Sequence, residues 1–144
     1  MHGRRFFPRT IQLDDHSCGV HVAHCINKWQ NIDVPYKSLY RMLECTEEDG
    51  TSDTLLERYF RKNGLRAWRR YGLTLADLKK QLDRGAVVIA HVDEGHYVTV
   101  HGIGAYWVYL SDPSWPRCPG RVQSRKKFKS RWGSMRWGLI VLPE

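Results

Sequence analysis

The start of a helix is expected within Gln12-Leu13-Asp14-Asp15-His16-Ser17-Cys18-Gly19-Val20. Ser17 is a favourable N-cap residue. Apolar side chains follow it at roughly helical spacing, namely Val20, Ala23, Cys25, Ile26 and Trp29. This pattern predicts a helix that starts at about Cys18. Its first-turn N–H groups and its dipole favour a thiolate at that position, and a thiolate is nucleophilic.

Gln12 lies six positions before Cys18, at the end of an extended run. The free N–H groups at the start of the helix can hold an oxyanion, and the side-chain amide of Gln12 can add a donor to the same hole. An exposed strand residue is the alternative interpretation of Gln12. The N-terminal block thus supplies a candidate nucleophile and a candidate oxyanion hole.

A cysteine nucleophile also needs a base and a group that orients the base, and the second half of the chain offers both. Residues 95–103 and 106–114 are rich in β-branched and aromatic side chains, and only Gly104-Ala105 separates the two runs. We therefore expect an antiparallel hairpin. In that hairpin His96 and Asp112 both lie near the open end, which predicts a His–Asp pair.

From the residues alone, other candidates for the base and another role for Asp112 remain. His91 is a second candidate base, and strand alternation places His96 and His101 on opposite faces. Asp112 precedes Pro113, a context that is also typical of a turn residue that hydrogen-bonds its own backbone.

The blocks Gln-x5-Cys-Gly, His96-Tyr97-Val98-Thr99-Val100 and Asp112-Pro113, in this order, resemble the bacteriocin-processing, double-glycine cysteine peptidases, which have a papain-like fold. The resemblance covers about residues 10–142, with a less polar turn at Ala105-Tyr106. It implies a triad of Cys18, His96 and Asp112, with Gln12 in the oxyanion hole. It also implies cleavage of a leader peptide after a Gly-Gly-like pair. We expect bulky neighbours to narrow the approach to the thiol, and the candidates are Trp29, Trp107 and Trp115.

In the best-known members of this family the peptidase domain is part of a peptide-exporting ABC transporter. The present sequence contains no P-loop and no run approaching the ~20 apolar residues needed to span a bilayer. We expect a single papain-like domain over residues 1–144, either a free-standing member or a domain of a longer protein. Association with a membrane or a transporter is left open.

Composition sets the remaining limits. The chain has 144 residues, enough to bury a core, and a net charge of +8, which favours an acidic partner. Cysteines at positions 18, 25, 45 and 118 form no Cys-x-x-Cys pair, so we expect reduced thiols in a cytoplasmic protein. The basic N-terminus lacks the apolar run of a signal peptide.

The order of elements predicts an α+β fold, with N-terminal helices packed on a mostly antiparallel C-terminal sheet. After the first helix we expect helices over residues 36–44, around 55–60 and over 75–84, the last opened by a capping box at Thr74 and Asp77. Strands are expected over residues 65–71 and 86–92, and a last core strand with its preceding turn at Trp132, Trp137, Leu139, Ile140 and Leu142.

The residue types also fit two other kinds of site. Cys18, His21, His24 and Cys25 have the ligand types of a zinc site, but His24 is rotated away from Cys18 on the helix and no second cluster exists, so no metal or other cofactor is expected. Basic residues alternate with aromatic ones over 121–137, and Arg66, Trp68, Arg69 and Arg70 form a smaller patch. A solvated face explains both better than nucleic-acid binding does.

The sequence therefore predicts a papain-like cysteine endopeptidase that acts on a peptide or protein through an acyl-enzyme. A non-catalytic peptide-binding module of the same fold is one alternative. A deamidase or acyltransferase is another, because the same triad can serve a different acceptor.

Overall fold

The computed structural model describes residues 2–3, 7–8, 14, 16–113 and 120–143. The helices are α1 (Cys18–Trp29), α2 (Tyr36–Met42), α3 (Asp53–Lys62), α4 (Leu75–Asp83) and α5 (Arg125–Trp132). The strands are β1 (His2–Gly3), β2 (Arg66–Arg70), β3 (Val87–Val92), β4 (His96–Ile103), β5 (Trp107–Ser111), β6 (Gly120–Ser124) and β7 (Gly138–Leu142). Among these residues no helix combines the length and the apolar character that a membrane span requires.

The strands form one antiparallel sheet in the order β2-β7-β3-β4-β5-β6, and β1 pairs with β4. Side chains alternate across it, so that Val87 and Ile89 join one core and Val88 and Ala90 the other. Helices α1, α2 and α3 cover the first face, and α4 and α5 cover the second. This architecture confirms the predicted α+β fold, in which the nucleophile helix packs on an antiparallel sheet.

The predicted helix boundaries follow from local chemistry. The Thr74 hydroxyl accepts a hydrogen bond from the Asp77 N–H at 3.1 Å, and the Asp77 carboxylate accepts one from the Thr74 N–H at 2.8 Å. Helix α3 is capped in a similar way by the Ser52 hydroxyl, which accepts from the Leu55 N–H. Gly64 follows α3 with a φ of 81°, a backbone conformation that favours glycine at a helix end.

Helix α5 differs from the prediction, which expected Trp132 to lie in a turn before the last strand. The Ser124 hydroxyl caps this helix at the Lys127 N–H. Phe128 and Trp132, four residues apart, are both buried against the second face of the sheet. A capping serine and one apolar pair are thus enough to place a helix, and the basic side chains occupy its other sides. Strand β7 forms as predicted.

The hairpin of β4 and β5 is antiparallel as predicted, but its register shifts. Thr99 pairs with Ser111, whereas Gly102 pairs with Tyr109, so His101 is an extra residue in β4. Asp112 lies just after the end of β5, and His96 is the first residue of β4. The two side chains are therefore presented at the same end of the sheet.

Candidate active site

Cys18 is the first residue of α1 and is half-buried. The turn before it is closed by Asp14, whose Oδ1 accepts hydrogen bonds from the backbone N–H groups of Ser17 (2.8 Å) and His16 (3.0 Å). Ser17 occupies the N-cap position, but its hydroxyl makes no capping hydrogen bond, contrary to the role expected for it. The start of α1 is thus fixed by an upstream carboxylate.

His96 connects Cys18 with Asp112. Its Nε2 lies 2.7 Å from Asp112 Oδ1, and the ring also hydrogen-bonds with the Cys18 side chain. Since Nε2 contacts Asp112, Nδ1 is the ring nitrogen left to serve the thiol. Burial lowers the pKa of His96, but the hydrogen bonds and charges of Asp112 and Cys18 outweigh it and raise that pKa to about 9. The imidazole is therefore protonated at neutral pH.

Arg131 supports Asp112 from the far side. Its Nη2 lies 3.3 Å from Asp112 Oδ2 and 2.6 Å from Asp93 Oδ2, and its Nε lies 3.1 Å from both Asp93 oxygens. Burial lowers the pKa of Arg131, but the two carboxylates raise it overall. Asp112, whose side chain is only 5% exposed, thus has a cation behind it and an imidazole in front. Sequence reasoning placed Arg131 in the basic stretch and missed this contact, because no local pattern joins α5 to the residue after β5.

A cavity of about 440 Å³ opens beside Cys18. Loop residues 47–51 line it together with His16, His91, Gly95 and Tyr97. Neither Trp29 nor Trp107 lines it, so these two expected neighbours do not narrow the approach to the thiol. Trp29 packs on Phe7, and Trp107 is half exposed on β5. Gln12, Trp115 and Cys118 lie outside the described residues.

The sequence of the chain matches a known protein family, and its fold matches solved structures. Residues 7–139 match the model of the Peptidase C39 family. The chain belongs to the Peptidase C39 family. This C39 chain is therefore a cysteine peptidase, a hydrolase, as predicted. No curated protein matches it significantly.

Several solved structures share the fold of this C39 peptidase. A double glycine motif protease from an AMS/PCAT transporter, in complex with the leader peptide, matches with a TM-score of 0.82, 20% identity and coverage of 99% of this chain and 95% of that one. The peptidase domain of Streptococcus ComA, a bi-functional ABC transporter involved in a quorum sensing pathway, matches with a TM-score of 0.77, 17% identity and coverage of 96% and 100%. A putative C39-like peptidase from Bacillus anthracis matches with a TM-score of 0.73, 14% identity and coverage of 99% of this chain and 98% of that one. At these identities the likeness concerns the fold.

The other candidate bases of the C39 peptidase have different partners. His91 Nε2 lies 3.1 Å from Asp53 Oδ1, and the ring stacks on Trp137. His101 is buried and stacks on Phe7. Of the three candidates, His96 is the one that contacts both Cys18 and Asp112.

The candidate zinc ligands of the C39 peptidase have separate surroundings. The rings of His21 and His24 pack on Tyr36, and Cys25 lies in the core beside Ser111. In residues 2–3, 7–8, 14, 16–113 and 120–143 no group of three or more His, Cys, Asp or Glu side chains could hold a metal ion. Cys18, Cys25 and Cys45 form no disulfide with one another.

The basic stretch of the C39 peptidase presents few aromatic faces. Phe128, Trp132 and Trp137 are buried, so these rings cannot stack on bases. In the smaller patch the guanidinium groups of Arg66 and Arg84 lie over Trp68, at 5.7 and 5.9 Å from the ring centroid. The arrangement fits the interpretation of these basic residues as a solvated face.

Proposed function

We propose that Cys18 is the nucleophile of this cysteine peptidase, that His96 is its general acid and base, and that Asp112 orients the imidazole. The observation that supports these roles best is that one ring, His96, bonds to both other side chains. A cationic imidazole beside a cysteine favours the thiolate over the thiol, and the thiolate is the form that attacks a carbonyl.

The reaction then follows from the positions of these groups. The Cys18 sulfur attacks the peptide carbonyl, and the charge that develops on oxygen lies near the N–H groups at the start of α1. Gln12 is our candidate for a second donor. His96 gives its proton to the leaving amine as the C–N bond breaks. The neutral ring next removes a proton from water, which attacks the thioester and releases the acid and the thiol.

We propose a leader peptide with a Gly-Gly-like pair before the scissile bond as the substrate. Support comes from the resemblance of the Cys, His and Asp-Pro blocks and from the leader peptide bound to the AMS/PCAT protease, which shares the fold. The net charge of +8 favours an acidic partner on other parts of the surface, because Glu47, Glu48 and Asp49 line the cavity beside Cys18. The three described cysteines form no disulfide with one another, which suits a reducing compartment, so we place the protein in the cytoplasm.

The nucleophile is tested by Cys18→Ala, with Cys25→Ala as the matched control seven residues along the same helix. Cys18→Ala should abolish cleavage of a double-glycine leader peptide, followed by mass spectrometry, while its circular dichroism stays that of wild type. Cys25→Ala removes only a buried sulfur from the core and should retain cleavage. Full cleavage by the Cys18→Ala protein would refute the assignment.

A further inference from the structure

Two cavities meet at one histidine. The cavity beside Cys18 shares His91 and Gly95 with a larger cavity of about 770 Å³. The larger cavity is lined in part by Trp137, Met135 and Tyr71, and the last two side chains are well exposed. A peptide that lies across Cys18 and continues into the larger cavity must therefore pass over His91.

His91 is held on three sides. Its Nε2 lies 3.1 Å from Asp53 Oδ1, and its ring stacks on Trp137 with centroids 4.1 Å apart and planes inclined by 28°. The Tyr97 ring packs against it at 4.6 Å, and the Tyr97 hydroxyl donates a second hydrogen bond to Asp53. This fixed geometry is what a binding group needs, because little side-chain entropy remains to be lost when a ligand arrives.

The hydrogen bond to Asp53 also fixes which ring nitrogen carries the proton. Burial raises the pKa of Asp53, but the hydrogen bonds from His91 and Tyr97 lower it overall, so Asp53 is a carboxylate. A carboxylate only accepts, hence Nε2 of His91 carries the hydrogen. In the tautomer with its hydrogen on Nε2, Nδ1 is an acceptor, and no described residue bonds to it. The side chain of His91 is 32% exposed, so the ring remains accessible from the cavities.

We propose that His91 is a substrate-binding residue, and that its Nδ1 accepts a hydrogen bond from a backbone N–H of the bound peptide. This inference rests on the proposed function, because it requires a peptide in the cavity beside Cys18. An acceptor at this place selects no side chain. It fixes the register of an extended chain, since successive N–H groups of such a chain point to opposite sides.

The test compares wild type with His91→Phe, which keeps a ring on Trp137 but has no acceptor. With a double-glycine leader peptide as the probe, we expect KM to rise about three- to tenfold and kcat to change less than twofold, the effect of one lost hydrogen bond. The rate at which iodoacetamide alkylates Cys18 should stay the same. His101→Phe, the same replacement in a residue that lines neither cavity, should leave KM unchanged in the folded protein.

Ester substitution identifies the peptide group. Replacing single N–H groups of the probe by oxygen should raise KM at one position in wild type and have no effect there in His91→Phe. An unchanged KM in His91→Phe would overturn the proposal. So would a parallel loss of kcat and of Cys18 alkylation, which would place His91 with the catalytic pair.

If wild type cleaves no leader peptide, the proposed function fails separately, and binding decides the question. The affinity of Cys18→Ala for the fluorescent probe peptide is then compared with that of Cys18→Ala/His91→Phe. Weaker binding by the double variant supports the role of His91. Equal binding, or no binding by either protein, rejects it.

Discussion

At the scale of single residues, the protonation of His96 depends on Asp112. Asp112→Asn removes both the charge and the strongest hydrogen bond that raise the pKa of His96, so that pKa should fall from about 9 towards its ordinary value. Less imidazolium would then face Cys18, and alkylation of Cys18 by iodoacetamide should slow several-fold at about pH 6–7.

The pH profile of alkylation, followed by peptide mapping, measures this effect. Asp93→Asn is the control, because Asp93 contacts Arg131 and not His96. It should shift the profile less. Identical profiles for wild type and Asp112→Asn would show that the carboxylate does not govern the imidazole.

Arg131 acts on the site through Asp112 and is therefore a positioning residue. In Arg131→Gln the Asp112 carboxylate loses the guanidinium contact at Oδ2 and keeps the contact of Oδ1 with His96. We expect a lower kcat, a KM within about twofold of wild type, and an alkylation profile displaced in the same direction as that of Asp112→Asn. A loss of stability with an unchanged profile would assign Arg131 a purely structural role.

Sequence could suggest Cys18, His96 and Asp112 because each lies in a recognisable local context, a helix start or a hairpin end. It could not supply the partners of Arg131 or His91. The Asp53–His91 pair joins the start of α3 to the end of β3, and the Arg131–Asp112 pair joins α5 to the end of β5. Such contacts depend on how elements pack, which local patterns do not encode.

At the scale of elements, the close approach of α1 to the loop before α3 explains why glycine follows the cysteine. A Cβ at Gly19 would lie 2.2 Å from Thr51 Cγ2 and 3.3 Å from the Tyr97 ring. Thr51 cannot turn away freely, because its hydroxyl bonds to the Leu43 carbonyl. Gly19→Ala should therefore lower the free energy of unfolding by about 1–3 kcal/mol and slow Cys18 alkylation.

The contact is tested by a second substitution, Thr51→Ser, which removes the methyl group that a Cβ at Gly19 would meet and keeps the hydroxyl. The double variant Gly19→Ala/Thr51→Ser should regain most of the lost stability in urea denaturation, with Thr51→Ser alone as reference. A double variant no more stable than Gly19→Ala would mean that the contact with Thr51 is not the cause.

The elements that sequence predicted well are those with explicit end signals, such as Thr74 with Asp77 before α4. Helix α5 was missed because its basic residues concealed the pair Phe128 and Trp132. The extra residue at His101 was also unforeseen. A bulge depends on how β4 meets two neighbouring strands, and the same residues in an isolated hairpin give no sign of it.

At the scale of the whole molecule, His96 makes stability depend on pH. Its folded pKa of about 9 lies above the ordinary value of 6.5. The protonated ring therefore stabilises the folded state fully below pH 6.5, and this contribution disappears as the pH rises through about 9. The His96→Gln variant has no imidazole at this position, so its free energy of unfolding lacks this dependence on pH.

Urea denaturation at about pH 6, 8 and 10 measures the difference. The free energy of unfolding of wild type should fall more than that of His96→Gln over this range, by on the order of 1–2 kcal/mol. Parallel curves for the two proteins would mean that His96 titrates alike in the folded and unfolded chains.

During translation the proposed nucleophile is made well before the proposed base. His96 and Asp112 belong to one hairpin, whereas Cys18 sits on a helix from the beginning of the chain that packs on that hairpin from one face of the sheet. Strand β7, the last strand of this sheet in chain order, lies between β3 and β2. A nascent chain that lacks β7 also lacks Leu139 and Val141 from the core on which α1 packs, so we expect it to hold the base without a seated nucleophile. We therefore expect a nascent chain to gain proteolytic activity only after β7 has been made and has paired.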